Sequence, residues 1–251
     1  MEVNKVIDIA LTAGEILLGN GAESYRIDET VAKICLSYGV TAECLSMSNG
    51  ILLSVVGCDC SQNTAMKRVR QKHVDLYRIE LINAFSRQLE TTPLSYEQAK
   101  KRLQEIDQAP NFSLHIRTMA ACMTGFIYTL FFNGTLPDAF VSILICLAIY
   151  RMLEKVAELG FFQFMEFYFA GLAIGGASIL AHTILPEINE NNVISGAIMI
   201  LIPGVTLTNG IKDALYGDFF SGLAKFYEAM LVVTAVCAGI ATALFIGLKG
   251  W

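Results

Sequence analysis

Apolar and polar positions follow two different patterns along the chain. From Val3 to Leu18, residues Val3, Val6, Ile7, Ala10, Leu11, Gly14, Leu17 and Leu18 recur at helical spacing. Asn4, Lys5, Asp8, Thr12 and Glu15 take the opposite face, as in an amphipathic helix. Asn20-Gly21 should stop it, with Gly21 as a left-handed C-terminal cap. A second helix is predicted from about Ser24 to Tyr38, on the stripe Ile27, Val31, Ile34 and Tyr38, ending at Gly39. Two short apolar runs, 41–47 and 51–56, flank Asn49-Gly50, the strongest short hairpin signal. A third, basic strand is expected at 65–71. Helices follow at 74–89, through Tyr77, Leu81, Ile82, Phe85 and Leu89, and after the capping box Ser95/Gln98, through Leu103 and Ile106. The segment 107–113, with Pro110, reads as a linker.

Beyond the linker the pattern becomes nearly continuous apolar segments, at about 116–132, 136–150, 161–185, 193–209 and 229–248. A helix needs roughly 20 residues to cross the hydrocarbon core. The first, third and fifth segments reach that length; the second is short and the fourth is interrupted by Pro203-Gly204. The expected architecture is an α-helical integral membrane protein with five transmembrane helices (residues 113–251), preceded by a small cytoplasmic α+β domain (1–112).

Charge supports this division. Only 16% of residues are charged, well below the quarter usual in soluble domains. Thirteen of the 18 Lys and Arg precede residue 118. With five spans, seventeen of the 18 fall on the side of the N-terminus, leaving only Lys249 opposite. The positive-inside rule then puts the N-terminus in the cytoplasm and the C-terminus outside. The N-terminus has no signal-peptide pattern. No basic face suits nucleic acid, so membrane lipid and a small molecule are the expected contacts.

The seven cysteines are scattered. Cys58-Asp59-Cys60 is not a zinc spacing, and no metal or cofactor is expected. No nucleophile elbow, P-loop, dinucleotide fingerprint or HExxH occurs. Ser24 beside Glu23 and Arg26 is the nearest thing to a catalytic group, with no histidine close in sequence. An enzyme is therefore not expected. The basic run Lys67, Arg68, Arg70, Lys72 before His73 reads as a solvated strand edge.

Candidate transport chemistry concentrates around the broken fourth segment. A proline at 203 frees a carbonyl one turn back, and open backbone at membrane depth survives only inside protein or beside water. Thr206, Asn209 and Asp213 share one helical face after Pro203 and Gly204. A broken helix with a polar stripe is how transporters hold small polar substrates; a packed proline kink explains the same spacing. Asp213 is the first choice for a proton carrier, with Asp218 and Glu228 in reserve. Glu166 and His182 are ionisable residues within an apolar run, placed near its two ends. In the first domain, Glu23 and Arg26 form a polar pair that either gates entry or docks on residues 210–224, where Lys212, Asp213 and Asp218 offer partners. A self-satisfied helix start explains the pair equally well.

Two stretches are recognisable. "IPGVTLTNGIKDALYGDFFSGLAKFYEA" (202–229) resembles the signature of the bacterial threonine/serine exporter family, and "GEILLGNGAESYRIDETVAKICLSYG" (14–39) resembles that family's N-terminal motif. Where the family often has arginine, this chain has Lys212 and Lys225, which keep charge but not a bidentate fork. The resemblance implies proton-driven export of small amino acids such as threonine and serine across the bacterial inner membrane. Some two-subunit members are linked instead to dicarboxylates such as succinate. Fused members carry a second membrane unit. A chain of this length resembles the larger subunit of the two-subunit branch, which implies a small multi-span membrane partner of the same family.

Overall fold

The structure is a computed structural model that describes residues 1–56, 62–69, 73–157 and 162–249. Cys58, Cys60, Arg70, Lys72, Phe161 and the C-terminal Trp251 lie outside the described residues. The chain divides into two compact units: 1–110 with 204–227, and 111–203 with 228–251.

The first unit opens with α1 (Val3–Gly19) and α2 (Ser24–Ser37). Gly21 and Gly39, expected to end these helices, have φ of 82° and 74°. Such angles strain any residue with a Cβ, which explains glycine at both stops. The strands β1 (Thr41–Met47), β2 (Gly50–Val56) and β3 (Gln62–Arg68) form an antiparallel sheet in that order. Met47 pairs with Gly50, so the turn is Ser48-Asn49 and Gly50 belongs to the strand, one residue earlier than expected. β3 likewise begins earlier than the predicted 65–71.

Helices α3 (Leu76–Thr91) and α4 (Tyr96–Asp107) complete this part. Asp75 caps α3 by accepting from the amides of Tyr77 and Arg78. Tyr77, expected in the core, is exposed, and Ile79 is buried instead; Ile82 is buried as expected. The Ser95/Gln98 capping box is formed. One core joins Ile9, Leu17, Ile27, Ile34, Leu53, Phe85, Leu89 and Leu103, drawn from α1, α2, β2, α3 and α4. The period-two alternation of β2 sends Ile51, Leu53 and Val55 into this core and leaves Leu52 and Val56 exposed.

The second unit contains α5 (Leu114–Phe131), α6 (Leu136–Ala157), α7 (Gln163–Ile184), α8 (Glu190–Ala197) and a 3-10 turn (Ile198–Ile200). After a break at Leu201–Pro203, α9 (Gly204–Leu215) belongs to the first unit. The last helix, α10 (Phe219–Lys249), begins in the first unit and ends in the second. Its 31 residues span about 46 Å, well beyond a hydrocarbon core.

Within the second unit α6 runs 22 residues and is not short. Charged residues ended the apolar run at Arg151 but not the helix; Glu154 sits one turn later and takes a two-pronged contact from Arg117 of α5, at 2.8 and 3.3 Å. Small residues set the closest packing. A Cβ on Gly171 would strike the carbonyl of Val236, and one on Gly239 that of Tyr168. Buried Asp138 accepts from the amides of Thr135 and Asn189, both at 2.8 Å, and so joins the start of α6 to the start of α8. Among the described residues, α6, α7 and α10 are long and apolar enough to cross a membrane. The broken pair of α8 with α9 makes up to four. α5 is 18 residues long and carries His115 and Arg117 in its first turn, which lowers its apolar character.

Candidate functional site

The turn 20–23 joins α1 to α2 and delivers two backbone carbonyls and one carboxylate to α9 and α10, and Ser24, the first residue of α2, adds its amide and hydroxyl. Asn209 Nδ2 donates to the Gly21 carbonyl at 2.8 Å. Lys225 Nζ donates to the Ala22 carbonyl at 3.2 Å. Asp213 Oδ1 accepts from the Ser24 amide at 2.9 Å, and Oδ2 from the Ser24 hydroxyl at 3.0 Å. Lys225 Nζ also reaches Asp213 Oδ2 at 2.7 Å.

Asp213 is completely buried, so this pair is sealed from water. The N-cap residue of α2, Glu23, makes no side-chain cap of its own. Asp213 takes that place from 189 positions away. An anion there satisfies an orphan donor and meets the positive end of the helix dipole. Lys225 supplies the compensating charge that a buried carboxylate requires.

Glu23 faces two cations. Lys212 Nζ lies 3.0 Å from Oε1, and Arg26 Nε lies 3.4 Å from Oε2. Burial would raise the Glu23 carboxyl. A hydrogen bond with its own backbone and the charges of Lys212 and Arg26 outweigh this and hold it below the usual range. Tyr25 stacks on Tyr216 with ring centroids 4.1 Å apart. Gly217, at φ 98°, closes α9, and Asp218 follows. On the sheet side of α2, Asp28 accepts from the Ser46 amide at 2.8 Å. Burial pushes the Asp28 carboxyl up, against donors from Ser46 and Cys44, and the charge of Asp218 adds to the rise.

Of the residues singled out in the sequence, Glu23, Arg26, Asn209, Lys212 and Asp213 come together in this cluster. Thr206 lies half-buried on α9, and Gly204 opens that helix with open space where a Cβ would stand. Pro203 and Glu228 belong to the second unit. Sequence reasoning passed over Ser24 and Lys225 as cluster members. Lys225 carried a signal: a lysine near the start of a long apolar helix needs a partner if that start is covered. Ser24 carried none beyond its place at a helix start.

The arrangement holds three cations and two carboxylates at one helix terminus. No group of three metal-binding side chains occurs among the described residues.

Comparison with known proteins extends the picture. No solved structure matches the chain. "Probable succinate transporter subunit YjjP" of Escherichia coli (strain K12) is 25% identical over 98% of this chain and 96% of that protein. "Probable threonine/serine exporter" of Mycobacterium tuberculosis (strain ATCC 25618 / H37Rv) is 20% identical over all of this chain and 47% of that protein. "Threonine/serine exporter" of Corynebacterium glutamicum is 23% identical over 95% of this chain and 50% of that protein. The chain thus spans about half the length of the two relatives named as exporters. Residues 8–247 match the ThrE family, described as "Putative threonine/serine exporter". On that match over nearly its whole length, the chain belongs to the threonine/serine exporter family.

Proposed function

We propose that the chain is a subunit of an inner-membrane exporter of small polar metabolites of the threonine/serine type, driven by the proton gradient. The observation that carries this is the family match over residues 8–247. The buried Asp213–Lys225 pair supports it by placing a carboxylate out of contact with water on the helix that follows the break. The proposed arrangement has residues 1–112 in the cytoplasm, the C-terminus outside, and five spans. α6, α7 and α10 support three of these spans and the broken pair a fourth; the fifth is assigned to α5 on the apolar run in its sequence. Pro203, Gly204, Thr206, Asn209, Lys212, Asp213, Asp218 and Glu228 are proposed to line the path of substrate and proton. Glu23 and Arg26 are proposed to gate it from the cytoplasmic side.

A second reading, export of a dicarboxylate such as succinate, has its own support. The Escherichia coli relative named for succinate is matched nearly end to end. The word "subunit" in that name supports a second, small membrane protein of the same family as partner. Radiolabelled threonine, serine and succinate, loaded into separate batches of cells with and without the gene pair, test both readings. Faster loss of threonine or serine supports the first, and faster loss of succinate alone the second. Loss of none, with both proteins in the membrane, refutes both.

A further inference from the structure

The three-stranded sheet of the first unit has one covered face and one open face. α1 and α2 pack on the inner side, where Ile51, Leu53 and Val55 of β2 enter the core. Strand alternation turns Glu43, Leu45 and Met47 of β1, Leu52 of β2, and Met66 and Arg68 of β3 to the other side. All six are exposed.

An antiparallel sheet with one wet face alternates apolar and polar residues. The outer face here departs from that pattern. The register sets Leu45, Leu52 and Met66 side by side in one row across all three strands, at 45%, 36% and 73% exposure. Met47 and Val56, also exposed, add to the same face. β2 is thus apolar on both faces, as in a strand covered on both sides. A contiguous apolar patch left open marks an interaction surface.

Charge indicates what covers it. Glu43 pairs with Ser54, one row to one side of Leu52, and Arg68 pairs with Gly50, one row to the other. The acid and the base therefore stand at opposite corners of the apolar row, on the two outer strands. At strand spacings they are about 17 Å apart, too far to meet within one copy. Neither has an ion-pair partner among the described residues. An anionic lipid surface calls for an excess of cations, whereas this face balances one acid with one base.

We infer that this face binds the same face of a second copy of the chain. Sheets packed face to face cross either nearly aligned or nearly at right angles. In the orthogonal arrangement, a two-fold axis through Leu52 sets Leu52 on Leu52 of the second copy. The same axis carries Glu43 of each copy to Arg68 of the other, so the contact is made twice. Three seven-residue strands give a face of roughly 350 Å² per copy. That is small for a specific interface, so the dimer is weak and dissociates on dilution.

The test is light scattering of the purified full chain in detergent micelles over a range of protein concentrations, which reads the protein mass and hence the dimer dissociation constant. The parent should pass from one copy to two as concentration rises, and Leu52→Glu should abolish the dimer. Glu43→Arg and Arg68→Glu should each raise the dissociation constant about tenfold, because two attractions become two repulsions. The double variant Glu43→Arg with Arg68→Glu should return it to within about threefold of the parent. Leu36→Glu, exposed on α2, should leave it within about twofold. All these positions are exposed, so each variant should keep the parent's unfolding midpoint. A parent that stays single at every concentration overturns the inference. A dimer unaffected by Leu52→Glu is built on another face and overturns it as well, as does a double variant no tighter than the single ones. If Leu52→Glu instead releases a co-purified membrane partner from a single-copy parent, the face belongs to that protein and the inference falls.

Discussion

At the scale of single residues, Asp213 and Lys225 decide the cluster. Lys225→Met leaves the buried Asp213 carboxylate with Ser24 alone, and Asp213→Asn leaves the ammonium with one carbonyl. Breaking a buried pair from one side costs about 3–5 kcal/mol. Each single variant should therefore lower the unfolding midpoint of the purified chain clearly. The pair Asp213→Asn with Lys225→Met should lose less than the sum of the two, because no unpaired charge remains. Strict additivity would mean that the two side chains do not depend on each other. Asp28 and Glu23 give opposite pH signatures. The Asp28 carboxyl is raised in the folded protein, so its contribution is fully present below its ordinary value of 3.8 and is lost as pH rises through the folded value. Asp28→Asn, which keeps an acceptor for the Ser46 amide, should raise the midpoint at pH 7 and flatten its pH dependence. A lower midpoint at pH 7 would contradict this. Glu23 is depressed, so its contribution is present above its ordinary 4.5 and fades only as pH falls through the lower folded value.

At the scale of elements, close packing of α9 on α10 carries the cluster. A Cβ on Gly222 would come within 2.7 Å of the Gly210 carbonyl and 2.8 Å of the Ala214 amide nitrogen. Gly222→Val should push these helices apart, separate Asp213 from Lys225, and lower the unfolding midpoint. Gly176→Val, on α7 with open space at its Cβ position, should leave the midpoint within about 0.5 kcal/mol of the parent. Similar losses in both would show that bulk, not this contact, matters. Much at this scale was legible. The stripes of α1 and α2, their glycine stops, the Ser95 capping box and the break at Pro203 each rest on local chemistry. The hairpin was legible, but its turn was displaced: no residue there has a positive φ, so Asn49-Gly50 does not act as the primed turn its sequence suggests. The length of α6 was hidden because Arg151, Glu154 and Lys155 end an apolar run without ending a helix.

At the scale of the whole molecule, the sequence divided the chain by hydropathy, which reports burial in lipid or protein but not which segments pack together. It therefore could not reveal that α9 and the start of α10 belong to the compact unit of α1 and α2. A polar stripe on Thr206, Asn209 and Asp213 reads the same whether it faces water, substrate or protein. The contacts of Ser24 with Asp213 join residues 189 apart, and no periodicity reports such a distance. The proposed work of this cluster is export. It is tested most directly by radiolabelled efflux from cells carrying the chain and its partner, comparing the parent with Asp213→Asn and Asn209→Ala at matched membrane abundance. Efflux of the exported metabolite should exceed that of cells lacking both genes, and should be lost in both variants. Parent-like efflux in Asp213→Asn at equal abundance would contradict it.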